Sequence, residues 1–286
     1  MLFRSARGEI ARDEDDVGQH GRARTRGPRG VTRMKLGVRH MIFGAVVLAI
    51  PVSSWFLVFR PQNREIRQAE NELELKNLTL AKLREGQTLR ILAWGDSVTE
   101  VGRYQPMFLG SLRTRFPRAR IELRTEAWPG KSTVDYLAEP PGGKRNFAEK
   151  ILSPRPDLIL TEFVNDASLR ESPGETQTRY ERIREAFLRI GAEWILFTPH
   201  YVKPDWMGLD RQRDIDEDPR SYVRFLREFA RDHGLALADA SRRYGRLWRQ
   251  GIPYLTLMEN GINHPNLAGH QILADSLLAL FPGSCP

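Results

Sequence analysis

"LRILAWGDSVTE", residues 89–100, decides how the chain reads. An apolar run over 89–94 stops abruptly at Gly95-Asp96-Ser97. A short apolar run bounded by glycine fits a buried strand better than a helix. Glycine permits a sharp turn and a close backbone approach. Asp or Ser behind a strand suits a helix N-cap. A serine opening a helix also lies near free backbone N–H groups and the positive end of the helix dipole, a place that favours a developing anion. Taken alone, the tripeptide fits a plain cap better than a reactive group.

The pattern repeats outward from this stretch. Strand-like runs follow at 121–127, 158–163, 194–198 and 235–238. Helix-like runs lie between and beyond them, at about 103–116, 145–152, 176–191, 220–233 and 266–280. Strands alternating with helices imply a parallel sheet covered on both faces. Ligands bind such sheets beyond the carboxyl ends of the strands. The second strand ends in "WPGKST" (128–133), the third in "VNDAS" (164–168) and the fourth in "PHYVKPDWMGLD" (199–210). "ENGINHPNLAGH" (259–270) precedes the last helix.

Gly-Asp-Ser after the first strand, a glycine after the second, Asn-Asp after the third and a late His-Pro-Asn occur here in one order. Over residues 89–282 the chain resembles the SGNH (GDSL-type) hydrolases. The resemblance implies a three-layer α/β/α, flavodoxin-like fold and serine ester hydrolysis. It makes Ser97 the nucleophile and His264 the general base. The Ser97 N–H, the Gly130 N–H and the Asn165 side-chain amide become the oxyanion hole. The residue types suit that chemistry. A serine hydroxyl needs a neighbouring base to take its proton, and imidazole titrates near neutral pH. Neutral donors aimed at a tetrahedral oxyanion stabilise charge where it develops.

The chain departs from the family pattern in two places. The family's Asp three residues before the histidine is Gly261 here. Glu259, Asp239, or Asn260 in a Ser-His dyad are the candidates to replace it, and Asp239 also fits an N-cap before a helix at 241–249. The family's glycine two residues before the asparagine is Phe163.

In the loop after the fourth strand, His200, Asp205 and Trp206 are candidate substrate-binding residues or parts of a packed lid. Asp96 joins the candidate substrate-binding set, and His270 reads as a helix residue. "PGKST" lacks the first glycine of a phosphate loop, since Thr125 stands five residues before Gly130. No G-x-S-x-G elbow surrounds Ser97. His264, His200 and Asp166 lack metal-ligand spacing, so neither a metal nor a cofactor is expected.

Charge and hydropathy place the domain. The net charge is +8, but residues 1–40 hold ten Lys/Arg against five Asp/Glu. Basicity is mostly a tail property, which argues against a nucleic-acid groove. The single cysteine, Cys285, excludes an intrachain disulfide. Residues 41–59 contain no charge and match a bilayer core of about 30 Å. Arg22, Arg24, Arg26, Arg29, Arg33, Lys35 and Arg39 precede them with no acid between, which puts the N-terminus in the cytoplasm. A signal peptide starting at Met34 is the rival reading, and the apolar run continuing to Phe59 argues against its cleavage. Residues 62–86 read as helix, with Ile66, Ala69, Leu73, Leu80 and Leu83 at heptad spacing. They form either a dimerising stalk or a helix lying on the domain.

The sequence therefore predicts a disordered basic tail (1–40), a membrane span (41–59), a helical stalk (60–88) and a catalytic domain (89–286). The expected function is an extracytoplasmic serine esterase acting on an O-acyl, chiefly O-acetyl, group of a small molecule or an envelope glycan. An O-acyltransferase with the same site and an inactive glycan-binding module are the alternatives.

Overall fold

The computed structural model describes residues 78–169, 171–211 and 217–282. Five strands, β1 (Thr88–Gly95), β2 (Arg120–Ala127), β3 (Leu158–Glu162), β4 (Glu193–Thr198) and β5 (Ala236–Asp239), form one parallel sheet in the order β2-β1-β3-β4-β5. Eight helices accompany it: α1 (Leu78–Glu85), α2 (Ser97–Val101), α3 (Tyr104–Arg115), α4 (Thr133–Ala138), α5 (Pro173–Ile190), α6 (Ser221–His233), α7 (Ala240–Arg249) and α8 (Leu267–Leu278).

Successive side chains of a strand point to opposite faces. Leu89 and Ile91 of β1 join one core with Leu80, Leu83, Phe108, Leu112, Tyr244, Leu273 and Leu277. Leu92 and Trp94 join the other core with Tyr180, Ile183, Phe187, Leu226 and Phe229. Helices α1, α3, α7 and α8 thus cover one face, and α5 and α6 the other. Burial on both faces is why the strands read as continuous apolar runs. Each such side chain contributes about 1.5–3 kcal/mol when fully buried.

The strand order reverses beside β1, whose neighbours are β2 and β3. Open α/β sheets form their crevice at such a point, beyond the carboxyl ends of the strands. Ser97 follows β1 and Asn165 follows β3, so the topology alone brings them to that crevice.

Two expectations are corrected, and one further helix is found. The domain does not begin at residue 89. Leu80 and Leu83 of α1 are buried in its core, and Glu193 at the start of β4 accepts the N–H groups of Leu78 and Thr79. The last turns of the expected stalk therefore lie on the domain, and two of its heptad positions face the chain's own core rather than a second copy. At 145–152 the structure has a π-type turn, Ala148–Leu152, rather than an α-helix, and Pro154 and Pro156 stop its continuation. The segment after β2 is not only a loop. Ser132 and Asp135 form a capping box that opens α4.

The tail at 1–40, the span at 41–59 and the stalk as far as residue 77 lie outside the described residues. Among the described residues no helix is long and apolar enough to cross a membrane.

Candidate active site

Gly95 ends β1 because nothing larger fits. A Cβ there would lie 2.2 Å from the Thr99 Oγ1 and 2.3 Å from the Glu162 carbonyl oxygen. The chain can then turn straight into α2. Asp96 caps that helix, its Oδ1 accepting the Val98 N–H at 3.1 Å. Its Oδ2 accepts the Asn165 N–H at 3.0 Å. One buried carboxylate thereby ties the serine turn to the asparagine turn across two adjacent strands.

Ser97, the first residue of α2, is half-buried, and its Oγ lies 2.9 Å from the His264 Nε2. The two residues are 167 positions apart in sequence. Gly130 adopts φ +69°, a left-handed conformation that favours glycine, at the turn after β2. Among the described residues neither the Ser97 N–H nor the Gly130 N–H donates a hydrogen bond. The Asn165 side-chain amide donates to the Lys131 carbonyl at 3.1 Å, which joins the β3 turn to the Gly130 turn and leaves its second N–H unused.

His264 rides on an irregular loop before α8. The Glu259 N–H donates to the His264 carbonyl at 2.8 Å, and Met258 bridges Pro265. The Asn260 Oδ1 accepts three N–H groups, from Ile262, Asn263 and His264. Asn260 therefore shapes the turn and does not orient the imidazole directly. Among the described residues no carboxylate bonds the second ring nitrogen of His264. The Glu259 carboxylate pairs with both terminal nitrogens of Arg103, which holds its pKa below the usual range.

Asp239 is not brought to the histidine. It caps α7 through the Arg242 N–H, accepts the Thr198 hydroxyl at 2.9 Å and pairs with Arg227 at 2.9 Å. Burial raises its pKa, but the Arg227 guanidinium outweighs this and the carboxyl stays ionised below its ordinary range.

Two expected substrate contacts are corrected by burial. Asp96 is wholly inaccessible and its oxygens are spent on backbone N–H groups. His200 is also wholly inaccessible, and its Nε2–H donates to the Asn263 carbonyl at 2.8 Å. Trp206 is different. It is 48% exposed, with the Lys203 ammonium 5.3 Å from its ring centre, and Asp205 pairs with the same lysine at 2.8 Å. The Lys203 N–H donates to the Ile262 carbonyl at 2.7 Å, so this loop borders the histidine loop.

Beneath Ser97 lies a set of buried acids, Glu162, Asp96 and Asp166, of which Glu162 was not singled out in the sequence. Glu162, buried at the end of β3, accepts the Thr99 hydroxyl at 3.0 Å, and the Thr99 Oγ1 lies 3.1 Å from the Tyr104 hydroxyl. Burial first, and the Asp96 charge second, push the Glu162 pKa well up. Burial likewise pushes Asp96 up to about 7. Asp166 accepts from Thr133, Tyr180 and Arg179 and fixes the segment after Asn165 to α4 and α5. His270 is buried in α8 against the Tyr104 ring, and burial pulls its pKa down to about 4. No group of His, Cys, Asp and Glu among the described residues has the arrangement of a metal site.

Residues 93–272 match the model of the GDSL-like lipase/acylhydrolase family. Among curated proteins none matches the chain. Solved structures do. The acetylxylan esterase Axe2 of Geobacillus stearothermophilus is 19% identical, with a TM-score of 0.56 over 71% of this chain and 97% of its own. An acetyl xylan esterase, AlAXEase, is 18% identical, with a TM-score of 0.52 over 67% and 98%. A two-domain esterase active on acetylated mannans, co-crystallised with mannopentaose, is 19% identical, with a TM-score of 0.53 over 70% and 50%.

Proposed function

Because the chain belongs to the GDSL-like lipase/acylhydrolase family, whose reaction is hydrolysis of carboxylic esters, we propose that it removes O-acetyl groups from a glycan outside the cytoplasm, held at the membrane by residues 41–59. The observation that carries the chemistry is the 2.9 Å contact between the Ser97 Oγ and the His264 Nε2.

In this reading the His264 Nε2 is the free base and takes the hydroxyl proton as Oγ attacks the ester carbonyl carbon. The carbonyl oxygen becomes an oxyanion facing the Ser97 N–H, the Gly130 N–H and the unused Asn165 amide N–H. Each such donor is worth about 3–4 kcal/mol in the transition state. The imidazolium then gives its proton to the leaving sugar oxygen and acetyl-Ser97 remains. Water, deprotonated by His264, attacks the acetyl-serine, the acyl–Oγ bond breaks as the imidazolium returns its proton to the Ser97 Oγ, and acetate leaves.

A glycan as substrate is supported by three esterases of the same fold whose substrates are acetylated xylan or mannan. The exposed Trp206 offers the apolar face of a sugar ring a flat partner beside the histidine loop. Outward placement is supported by the uncharged 41–59 stretch and its basic upstream flank.

The test treats the protein with a fluorophosphonate, reads the intact mass, and measures acetate released from acetylated xylan and mannan. One adduct on wild type, absent from Ser97→Ala and His264→Ala, together with acetate release, is the expected result. A folded wild type that takes no adduct refutes the reading.

A further inference from the structure

His264 has an orientation problem that its own loop does not solve. In a triad, a carboxylate on the far ring nitrogen fixes the imidazole, and losing it can cost about 10⁴-fold in rate. Here Glu259 is committed to Arg103 and Asp239 to Arg227. A solvent-exposed pair such as Arg103–Glu259 is a weak anchor. The bonds from Asn260 and the Met258–Pro265 bridge shape the loop but do not attach its apex to the domain.

The attachment comes from the segment after β4. The Lys203 N–H holds the Ile262 carbonyl, and the His200 Nε2–H holds the Asn263 carbonyl, one residue before the base. We propose that His200 is a positioning residue: by holding the Asn263 carbonyl it aims His264 at Ser97, and it gives this chain a backbone clamp where a triad has a carboxylate. The inference rests on the esterase reading above.

The clamp is built to be rigid. The Arg220 Nη2 holds the carbonyls of both Pro199 and His200, at 3.1 and 2.9 Å. Arg220 itself is locked by Asp218 at 2.6 Å, and Asp218 also accepts the Ser241 hydroxyl. The His200 ring sits against Tyr244 of α7. Among the described residues its Nδ1 has no hydrogen-bond partner, so the ring's one polar engagement there is the Asn263 carbonyl. Burial, reinforced by Arg220, holds the pKa down at about 3, so the ring stays neutral and its donor persists throughout the working pH range.

The full chain tests this with p-nitrophenyl acetate turnover and the rate of fluorophosphonate labelling. His200→Leu keeps the bulk and removes the donor. His200→Gln restores an N–H near the position of Nε2. The expected result for His200→Leu is a 10- to 100-fold fall in kcat and in labelling rate, with KM within twofold. His200→Gln should recover most of the loss. In a His264→Ala background, His200→Leu should cost nothing further, because there is no base left to aim. That last readout separates positioning from a general structural role.

Wild-type rates in a folded His200→Leu protein overturn the proposal. So does an equal loss in both backgrounds, or a folded His200→Gln protein no better than Leu. If wild type itself labels without dependence on Ser97 and His264, the esterase reading falls first and the clamp with it.

Discussion

Replacing Glu162 by Gln is expected to shift stability progressively in the variant's favour, relative to wild type, as pH rises from 5 to 7. Glu162 lies under the nucleophile turn with its Oε2 on the Thr99 hydroxyl and its Oε1 without a partner. Burial and the nearby Asp96 raise its pKa well above 4.5. Above about pH 5 the unfolded chain therefore has this carboxyl largely ionised, while the folded chain holds its proton to higher pH. Unfolding releases a proton, and stability falls by about 1.4 kcal/mol per pH unit for each such group. Gln never ionises, so the variant lacks that fall and gains up to about 1.4 kcal/mol on wild type for each pH unit over which the folded carboxyl keeps its proton. The difference is the quantity to read, because other groups titrate in both proteins. Asp96, raised to about 7, adds a fall of the same sign. His200 and His270, held neutral down to about 3 and 4, add a rise as pH climbs to their unfolded value near 6.5. Gln also brings a constant cost, since its NH2 sits where Oε1 found no partner. An unsatisfied buried donor typically costs about 1–3 kcal/mol, independent of pH. Urea unfolding of both proteins at pH 5, 6 and 7 measures the difference. A difference that stays flat across that range would show Glu162 ionised in the fold and refute the reasoning.

Asn165→Ala is expected to lower kcat by about 10²–10³-fold through the lost oxyanion donor and to lower stability by only about 0.5–1.5 kcal/mol through the lost bond to the Lys131 carbonyl; circular-dichroism melting beside steady-state kinetics checks both halves. Asp239→Asn should do the reverse, lowering stability by about 1–3 kcal/mol through the lost Arg227 ion pair, since Asn still caps α7, while leaving kcat/KM within a few-fold. A folded Asp239→Asn protein that had lost its activity would return this residue to the role of triad acid. Gly95→Ala drives a Cβ against the Thr99 side chain and the Glu162 carbonyl, and should cost about 3 kcal/mol or more, seen as loss of soluble protein or of a cooperative unfolding transition.

Much of this was legible because the sheet is buried on both faces. Five apolar runs spaced by helix-like segments leave one arrangement, and the polar residues at their ends mark its working edge. The elements that escaped notice carry weaker signals. The capping box of Ser132 and Asp135 was visible in "KSTVD" but overshadowed by its likeness to a phosphate loop. Glu162 was hidden inside a run read as an ordinary strand, although an acid there, three residues before Asn165, signals a buried carboxyl. Asp239 read two ways because an acid at a strand end can cap the next helix or reach a histidine. Only the placement of Arg227 and Thr198 decides between them. His200 reads in the sequence as a substrate contact or a packed lid residue, and its bond to the histidine loop could not be read, since its partner is a backbone carbonyl 63 residues away.

The two halves of the site are held by different physics. Ser97 and Asn165 stand at the ends of neighbouring strands, and Asp96 bonds the turn of one to the turn of the other. Their separation is fixed by sheet register, which a side-chain change does little to alter. The base is held by a loop whose apex meets the domain through two backbone carbonyls. A triad acid supplies two things at once, orientation of the imidazole and a counter-charge for the imidazolium formed during attack. A neutral histidine on a carbonyl supplies the first and not the second. The counter-charge is left to Glu259, half-exposed and shared with Arg103, where solvent weakens it. Orientation and charge, joined in one residue in a triad, are thus divided here between a buried residue and a surface one. Mutations at His200 should therefore act through geometry, while those at Glu259 should act through a modest, salt-sensitive change in kcat.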